Sequence, residues 1–199
     1  SEHIDQKFIG QFKQQYKLEN RRIISTVGRI TQLKDHQTFI RAVALLVKHD
    51  PNVVGLIVGG VRDDKQEYFD SLQALVKELG IEQHIVFTGS ISQVAEVYAL
   101  SDVVVSSSKK PESFGRSVAE ALALNTPVVA TAHGGVLEII VEEENGFFYP
   151  VGDESELAEK ILKSSELKFN GYHYIANSFS LEQMVEKTLN VYKFLKRSV

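Results

Sequence analysis

The chain has 199 residues, of which 43% are apolar and 24% charged, with a formal charge of −4. This is the balance of one globular domain. It excludes a disordered tail, a fibrous repeat and a disulfide scaffold, and its mildly acidic sum gives no general attraction to nucleic acid or anionic lipid. The absence of cysteine removes thiolate catalysis and Cys-ligated metal and fits a reducing compartment. No apolar run approaches the roughly 18–20 residues a membrane span needs, and the polar start of the chain has no signal-peptide core.

In chain order, residues 1–20 read as a polar helical connector with Phe8, Phe12 and Tyr16 at i, i+4, i+8, packing against this domain or a neighbour. Arg22–Val27 is a β-branched strand. A helix follows with Phe39, Val43, Leu46 and Val47 on one face, then a strand at Val53–Val58. Tyr68, Leu72, Leu75, Val76 and Leu79 mark the next helix, which Gly80 stops. Further strands are Ile85–Phe87, Val103–Ser106, Pro127–Thr131 and, more weakly, Gly146–Tyr149. Between the fourth and fifth lies a helix that begins after Pro111, with Phe114, Val118, Ala121 and Leu122 expected on its buried face. Asp153 with Glu156 and Ser180 with Gln183 have capping-box spacing, and the last helix spans about Leu181 to Leu195.

Strands that are hydrophobic almost throughout, alternating with helices, predict an α/β fold. The expected form is a Rossmann-like, doubly wound parallel sheet of about six strands with helices on both faces. Residues 21–178 form the domain proper, and 179–199 form a terminal helix packed on it or on a neighbour. Ligands of such sheets bind beyond the carboxyl ends of the strands, so the informative residues lie just after each strand.

After the first strand, Gly28-Arg29 and then Lys34 put two cations beside a tight turn. They can clamp a diphosphate or be ordinary loop charges. Gly59-Gly60 and Thr88-Gly89 end the second and third strands, but the G-x-G-x-x-G fingerprint is missing. The richest segment runs from Lys109 to Ala123. In it Gly115 lets a ligand oxygen approach the amides at a helix N-terminus. Glu120, in an apolar A-E-A-L-A-L run, needs hydrogen-bond donors such as sugar hydroxyls, or a Lys or Arg partner. The turn after the fifth strand holds His133-Gly134-Gly135, where His133 is either a ligand contact or a surface residue. The six histidines lack zinc-ligand spacing, and no nucleophile elbow or P-loop is present. Asp63-Asp64 is adjacent rather than spaced as an Asp-x-Asp metal motif, and the run Ser106–Ser108 has no histidine at a telling position beside it.

Taken together, V-G-R-I-x3-K at Val27–Lys34, E-S-F-G-R-x3-E-A-L-A at Glu112–Ala123 and N-T-P-V-V-A-T-x-x-G-G-x-x-E at Asn125–Glu138 are specific. They resemble the C-terminal, donor-binding domain of the GT-B-fold retaining glycosyltransferases of group 1 (family 4). The resemblance implies that Arg29, Lys34 and Glu112 are catalytic: the two cations hold the nucleotide diphosphate and Glu112 contacts donor-sugar hydroxyls. It implies that Gly28, Gly59, Thr88, Gly89, Ser113, Phe114, Gly115, Arg116 and Ser117 line the donor site and that Glu120 holds the ribose. His133, Gly134 and Gly135 are further candidates. Asp35 and Ser113 stand where many relatives carry glycine.

The implied reaction is metal-independent hexosyl transfer, with retention, from a nucleotide-sugar, UDP- or GDP-linked, without a further cofactor. It would serve polysaccharide or glycoconjugate biosynthesis in the cytoplasm, or at the cytoplasmic face of a membrane reached through the other half of the enzyme. A chain of this length has no room for the N-terminal acceptor-binding domain, which is the expected partner, and the isolated domain is expected to be inactive. The rival readings are a non-catalytic sugar-nucleotide-binding module and a GT-B-like sugar-nucleotide epimerase.

Overall fold

A computed structural model of the chain describes residues 4–197. Residues 1–3 of the expected connector and residues 198–199 of the terminal segment lie outside the described residues. In chain order the helices and strands are α1 (Gln6–Tyr16), β1 (Arg22–Val27), α2 (His36–Val47), β2 (Val53–Val58), α3 (Gln66–Glu78), β3 (Ile85–Gly89), α4 (Val94–Leu100), β4 (Val103–Ser106), α5 (Arg116–Ala123), β5 (Val128–Thr131), α6 (Val136–Ile139), β6 (Gly146–Tyr149), α7 (Glu154–Ser164), α8 (Gly171–Phe179) and α9 (Leu181–Arg197).

The strands form one six-stranded parallel sheet in the order β3-β2-β1-β4-β5-β6. β1 pairs in parallel with β2 on one side and with β4 on the other, Ile24 opposite Val103 and Ser25 opposite Val104. Strand order therefore reverses between β1 and β4, and at that point the connections on the two sides diverge and leave a crevice.

Because side chains alternate across a strand, each face of the sheet receives its own set. Ile24, Ile57, Val103, Val105 and Val129 pack with Phe39, Val43, Leu46, Leu72, Leu157 and Ile161 of α2, α3 and α7. The opposite face is covered in two parts. Val104, Val128 and Ala130 meet Val118, Ala121 and Leu122 of α5 and Ile139 of α6. Ile23, Val54, Leu56 and Val58 meet Phe12 of α1 and Val97 and Leu100 of α4. The expected α/β architecture is thus the observed one.

Boundaries differ in small ways with local causes. β3 runs on to Gly89, because a register shift between Ile57 and Val58 carries the pairing past Phe87. β5 starts at Val128; Pro127, without an N–H, joins the ladder only through its carbonyl, which accepts from the Val104 amide at 3.0 Å. α1 is capped by Asp5, whose carboxylate accepts from the amides of Lys7 and Phe8 at 2.9 and 3.0 Å. Its rings at Phe8, Phe12 and Tyr16 meet in sequence at tilted angles and dock on the domain itself. At the other end α9 meets chiefly α8 and leaves Leu181, Met184, Leu189 and Tyr192 exposed. No helix among the described residues is long and apolar enough to cross a membrane.

Candidate functional site

Two loops leave the crevice, one after β1 and one after β4, and hydrogen bonds join them. After β1 the Gly28 amide donates to the Val58 carbonyl at 2.9 Å and the Ile30 amide to Gly60 at 3.0 Å. The chain then makes a 3₁₀ turn at Gln32–Lys34 and passes through Asp35, in left-handed conformation (φ 47°), into α2. After β4, the Ser107 hydroxyl donates to the Lys34 carbonyl at 2.7 Å and the Lys109 amide to the Leu33 carbonyl at 2.8 Å. The Lys109 ammonium reaches the Asp35 carboxylate at 3.1 Å, and that carboxylate also accepts from the Thr38 hydroxyl at 2.7 Å.

This junction holds the Lys34 Nζ and Glu112 Oε1 atoms 2.5 Å apart. The Ser108 hydroxyl donates to the same oxygen. Burial raises the Glu112 pKa, but the hydrogen bonds from Lys34 and Ser108 and the Lys34 charge outweigh it, so the carboxyl is held below its usual range. Ser108 is itself placed by its carbonyl, which accepts from the Thr131 hydroxyl at 2.9 Å and from His133 Nε2 at 2.7 Å. The Glu112 carbonyl accepts from the Gly135 amide at 2.8 Å.

Beyond Glu112 the chain turns at Gly115 (φ 90°), a left-handed residue where a side chain would be strained and would collide with Val136 at 2.7 Å. Gly115 starts α5 without a side-chain cap, and the first-turn residues Arg116 and Ser117 open onto a cavity of about 680 Å³. Gly28, Arg29, Lys34, Glu112, Ser113, Phe114, Gly115 and Glu120 line the same cavity. The structure therefore brings together ten of the predicted site residues, Arg116 and Ser117 included.

The others lie nearby but play different parts. Gly59 sits behind Gly28, where a Cβ would fall 1.9 Å from the Gly28 carbonyl oxygen, so this position has no room for any side chain. Its amide donates to the Gly89 carbonyl at 2.9 Å, and the Thr88 hydroxyl turns back to the same carbonyl at 2.9 Å. Gly59, Thr88 and Gly89 thus shape the strand ends beside the cavity without lining it. His133, Gly134 and Gly135 lie beneath the Glu112 loop, and both glycines press against its backbone.

Phe114 departs from expectation. It is 43% exposed and makes an edge contact with Phe179 of α8, with ring centroids 6.1 Å apart. It precedes the helix cap, so the phase that buries Val118, Ala121 and Leu122 does not reach it. Glu120 has neither of the close cationic partners considered from the sequence: no Lys or Arg ion pair forms with it among the described residues. It is exposed on the cavity side of α5. Burial and the neighbouring Glu120 carboxylate push the Tyr98 hydroxyl pKa up.

Sequence reasoning missed Ser108, Tyr98 and Val94. The last two line the cavity from α4, and only the chain's return past β3 brings them there. Ser108 had a legible signal, being the end of a buried serine run four residues before Glu112. Behind Lys34, His36 is 1% exposed and its Nδ1 has no hydrogen-bond partner. Burial, with the Lys34 charge adding to it, lowers its pKa to about 4.

Chemically, the cavity offers cations and helix amides that suit anions together with carboxylates that accept from hydroxyls. It suits a ligand with a phosphate part and a polyol part.

The family model described as "Glycosyl transferases group 1" matches residues 8–178. The chain is 32% identical over 190 residues to N-acetyl-alpha-D-glucosaminyl L-malate synthase of Bacillus anthracis, covering 92% of this chain and 48% of that protein. It superposes on the crystal structure of Anabaena HepE in complex with UDP and glucose with a TM-score of 0.84 and 27% identity, over 94% of this chain and 53% of that one. The C-terminal domain of the group 1 family protein LpcC from Francisella tularensis is similar at a TM-score of 0.72 and 26% identity, covering 91% of this chain and 95% of that domain. The chain spans about half the length of the curated relatives it matches.

Proposed function

The chain belongs to the group 1 glycosyl transferases, and we propose that it is the donor-binding half of an enzyme that transfers a hexosyl group from a nucleotide-sugar with retention at the anomeric carbon. One observation carries this reading: Arg29, Lys34 and the N-terminus of α5 share a cavity with two separate carboxylates, Glu112 and Glu120. Arg29, Lys34 and the α5 amides bind the diphosphate and stabilise the charge that grows on it as the glycosidic bond breaks. Glu112 accepts from hydroxyls of the sugar, and Glu120, further along α5, from those of the ribose. The two cations and the α5 amides let the reaction run without a divalent metal. The UDP and glucose held by the Anabaena relative support a uridine donor here, with a guanosine donor as the second choice.

The acceptor belongs to an N-terminal domain that closes the other wall of the cleft, and the full enzyme works in the cytoplasm. Without that wall no acceptor hydroxyl is held against the anomeric carbon, a loss of positioning worth several orders of magnitude in rate.

Calorimetry with UDP, GDP and ADP, with and without EDTA, and an assay of nucleoside diphosphate release test the reading together. The 199-residue chain is expected to bind a nucleoside diphosphate in EDTA and to transfer sugar only when the N-terminal half is added. Binding that requires Mg²⁺ or Mn²⁺ would remove the metal-free mechanism. Acceptor-dependent turnover by this chain alone would remove the half-enzyme reading.

A further inference from the structure

The proposed donor reading gives Lys34 and Glu112 different ends of the donor, the diphosphate and the sugar, yet the structure places them in contact at 2.5 Å. Both backbones are pinned. The Lys34 carbonyl accepts from Ser107, its amide donates to Thr31 at 3.0 Å, and the Glu112 carbonyl accepts from Gly135. Any change of partner is therefore a rotation of side chains and not a movement of loops. Glu112 can release Lys34 without being orphaned, because Ser108 donates to the same carboxylate oxygen.

These contacts make two ligands unequal. A free nucleoside diphosphate that draws Lys34 to a phosphate oxygen takes it from Glu112. It also sets its own terminal phosphate charge beside a carboxylate that the site keeps ionised. Both effects oppose binding. A nucleotide-sugar carries a sugar in place of that terminal charge, and its hydroxyls give Glu112 the donors that Lys34 gives up.

We propose that Glu112 is the specificity-determining counter-ion of Lys34: it competes with free nucleoside diphosphate for the lysine, ranks the intact donor above the product, and helps expel the diphosphate once the sugar has left. The inference rests on the donor-binding reading and goes beyond a sugar contact, since it assigns Glu112 an unfavourable effect on a ligand it does not recognise. By thermodynamic reciprocity, whatever weakens the Lys34–Glu112 contact must strengthen diphosphate binding through Lys34.

The test is calorimetric titration of the 199-residue chain with UDP and UDP-glucose, and in parallel with GDP and GDP-mannose. It compares the wild type with Glu112→Gln, Lys34→Met and the double variant, each checked for an unchanged thermal transition. Glu112→Gln keeps the shape and the Ser108 contact. It is expected to bind the free diphosphate about fivefold to tenfold more tightly, within the usual range of such couplings, and the nucleotide-sugar more weakly. In the Lys34→Met background the same change should alter diphosphate binding less than about twofold, because the competition has no object. Glu112→Ala, which also removes the carboxylate, should tighten diphosphate binding in the same direction should the glutamine variant fold poorly. If the wild type binds a diphosphate and neither variant binds it more tightly, the counter-ion role is wrong while the donor-binding reading stands. If the wild type binds none of the four ligands, both fall together.

Discussion

Two ion pairs in this protein have the same chemistry and the same length. Lys34–Glu112 and Lys163–Glu159 each bring a lysine Nζ to a glutamate oxygen at 2.5 Å. The second lies along α7 at i, i+4 spacing with its side chains 53% and 54% exposed, whereas the first joins two loops and is 32% and 24% exposed. On α7 water screens both charges, and the helix holds the partners near each other whether or not they pair. At the loop junction Ser108 adds a donor and the two residues are 78 positions apart in sequence. Equal distances therefore say nothing of equal consequence; what matters is how well water can replace the partner. The neighbouring Lys109–Asp35 pair makes the point within one contact, since Lys109 is 45% exposed and Asp35 only 2%.

His36 offers the largest test, because it lies buried against this junction with its Nδ1 unpartnered. Its pKa falls from 6.5 to about 4 in the fold, so the unfolded chain binds its proton first as pH drops. Stability should then decline between pH 6.5 and about 4 and level off below, by roughly 3 kcal/mol in total from this residue. Urea unfolding of the wild type and His36→Phe at pH 7 and 4.5 checks it: the variant should lose distinctly less stability on acidification. Parallel losses would mean that the interior behind Lys34 accepts a charge readily, and the contrast between the two ion pairs would lose its basis.

The Lys109–Asp35 pair should break unequally. Lys109→Met strands a buried carboxylate with only the Thr38 hydroxyl beside it and is expected to cost about 1–3 kcal/mol. Asp35→Gly releases an ammonium that can turn to water, and glycine suits the left-handed backbone at φ 47°, so its cost should be clearly smaller. Thermal unfolding of the two variants ranks them, and the reverse order would show that burial is not what separates the partners.

The smallest effect is expected at the exposed pair. Lys163→Ala should leave both the unfolding transition and UDP affinity within error of the wild type at 0.15 M salt, and a clear loss in either would overturn the comparison from its other side.

The sequence by itself determined the strands, the alternation with helices and the residues that carry the family pattern. Each of these is local: a β-branched run, a cap three residues before its partner, or a motif such as Glu112-Ser113-Phe114-Gly115-Arg116 is legible within one short window. The family resemblance carried by those motifs also joined Arg29, Lys34, Glu112 and Glu120 as one set, and they share one cavity because the ends of parallel strands lie on one edge. Only the tertiary structure decided which of them touch. The pairing of β1 with β4 sets Lys34 against Glu112 and not against Glu120, the turn after β5 brings His133 to Ser108 beneath them, and Phe114 stays exposed just before the Gly115 cap of α5. Those outcomes depend on distances across the sheet, and no spacing along the chain encodes them.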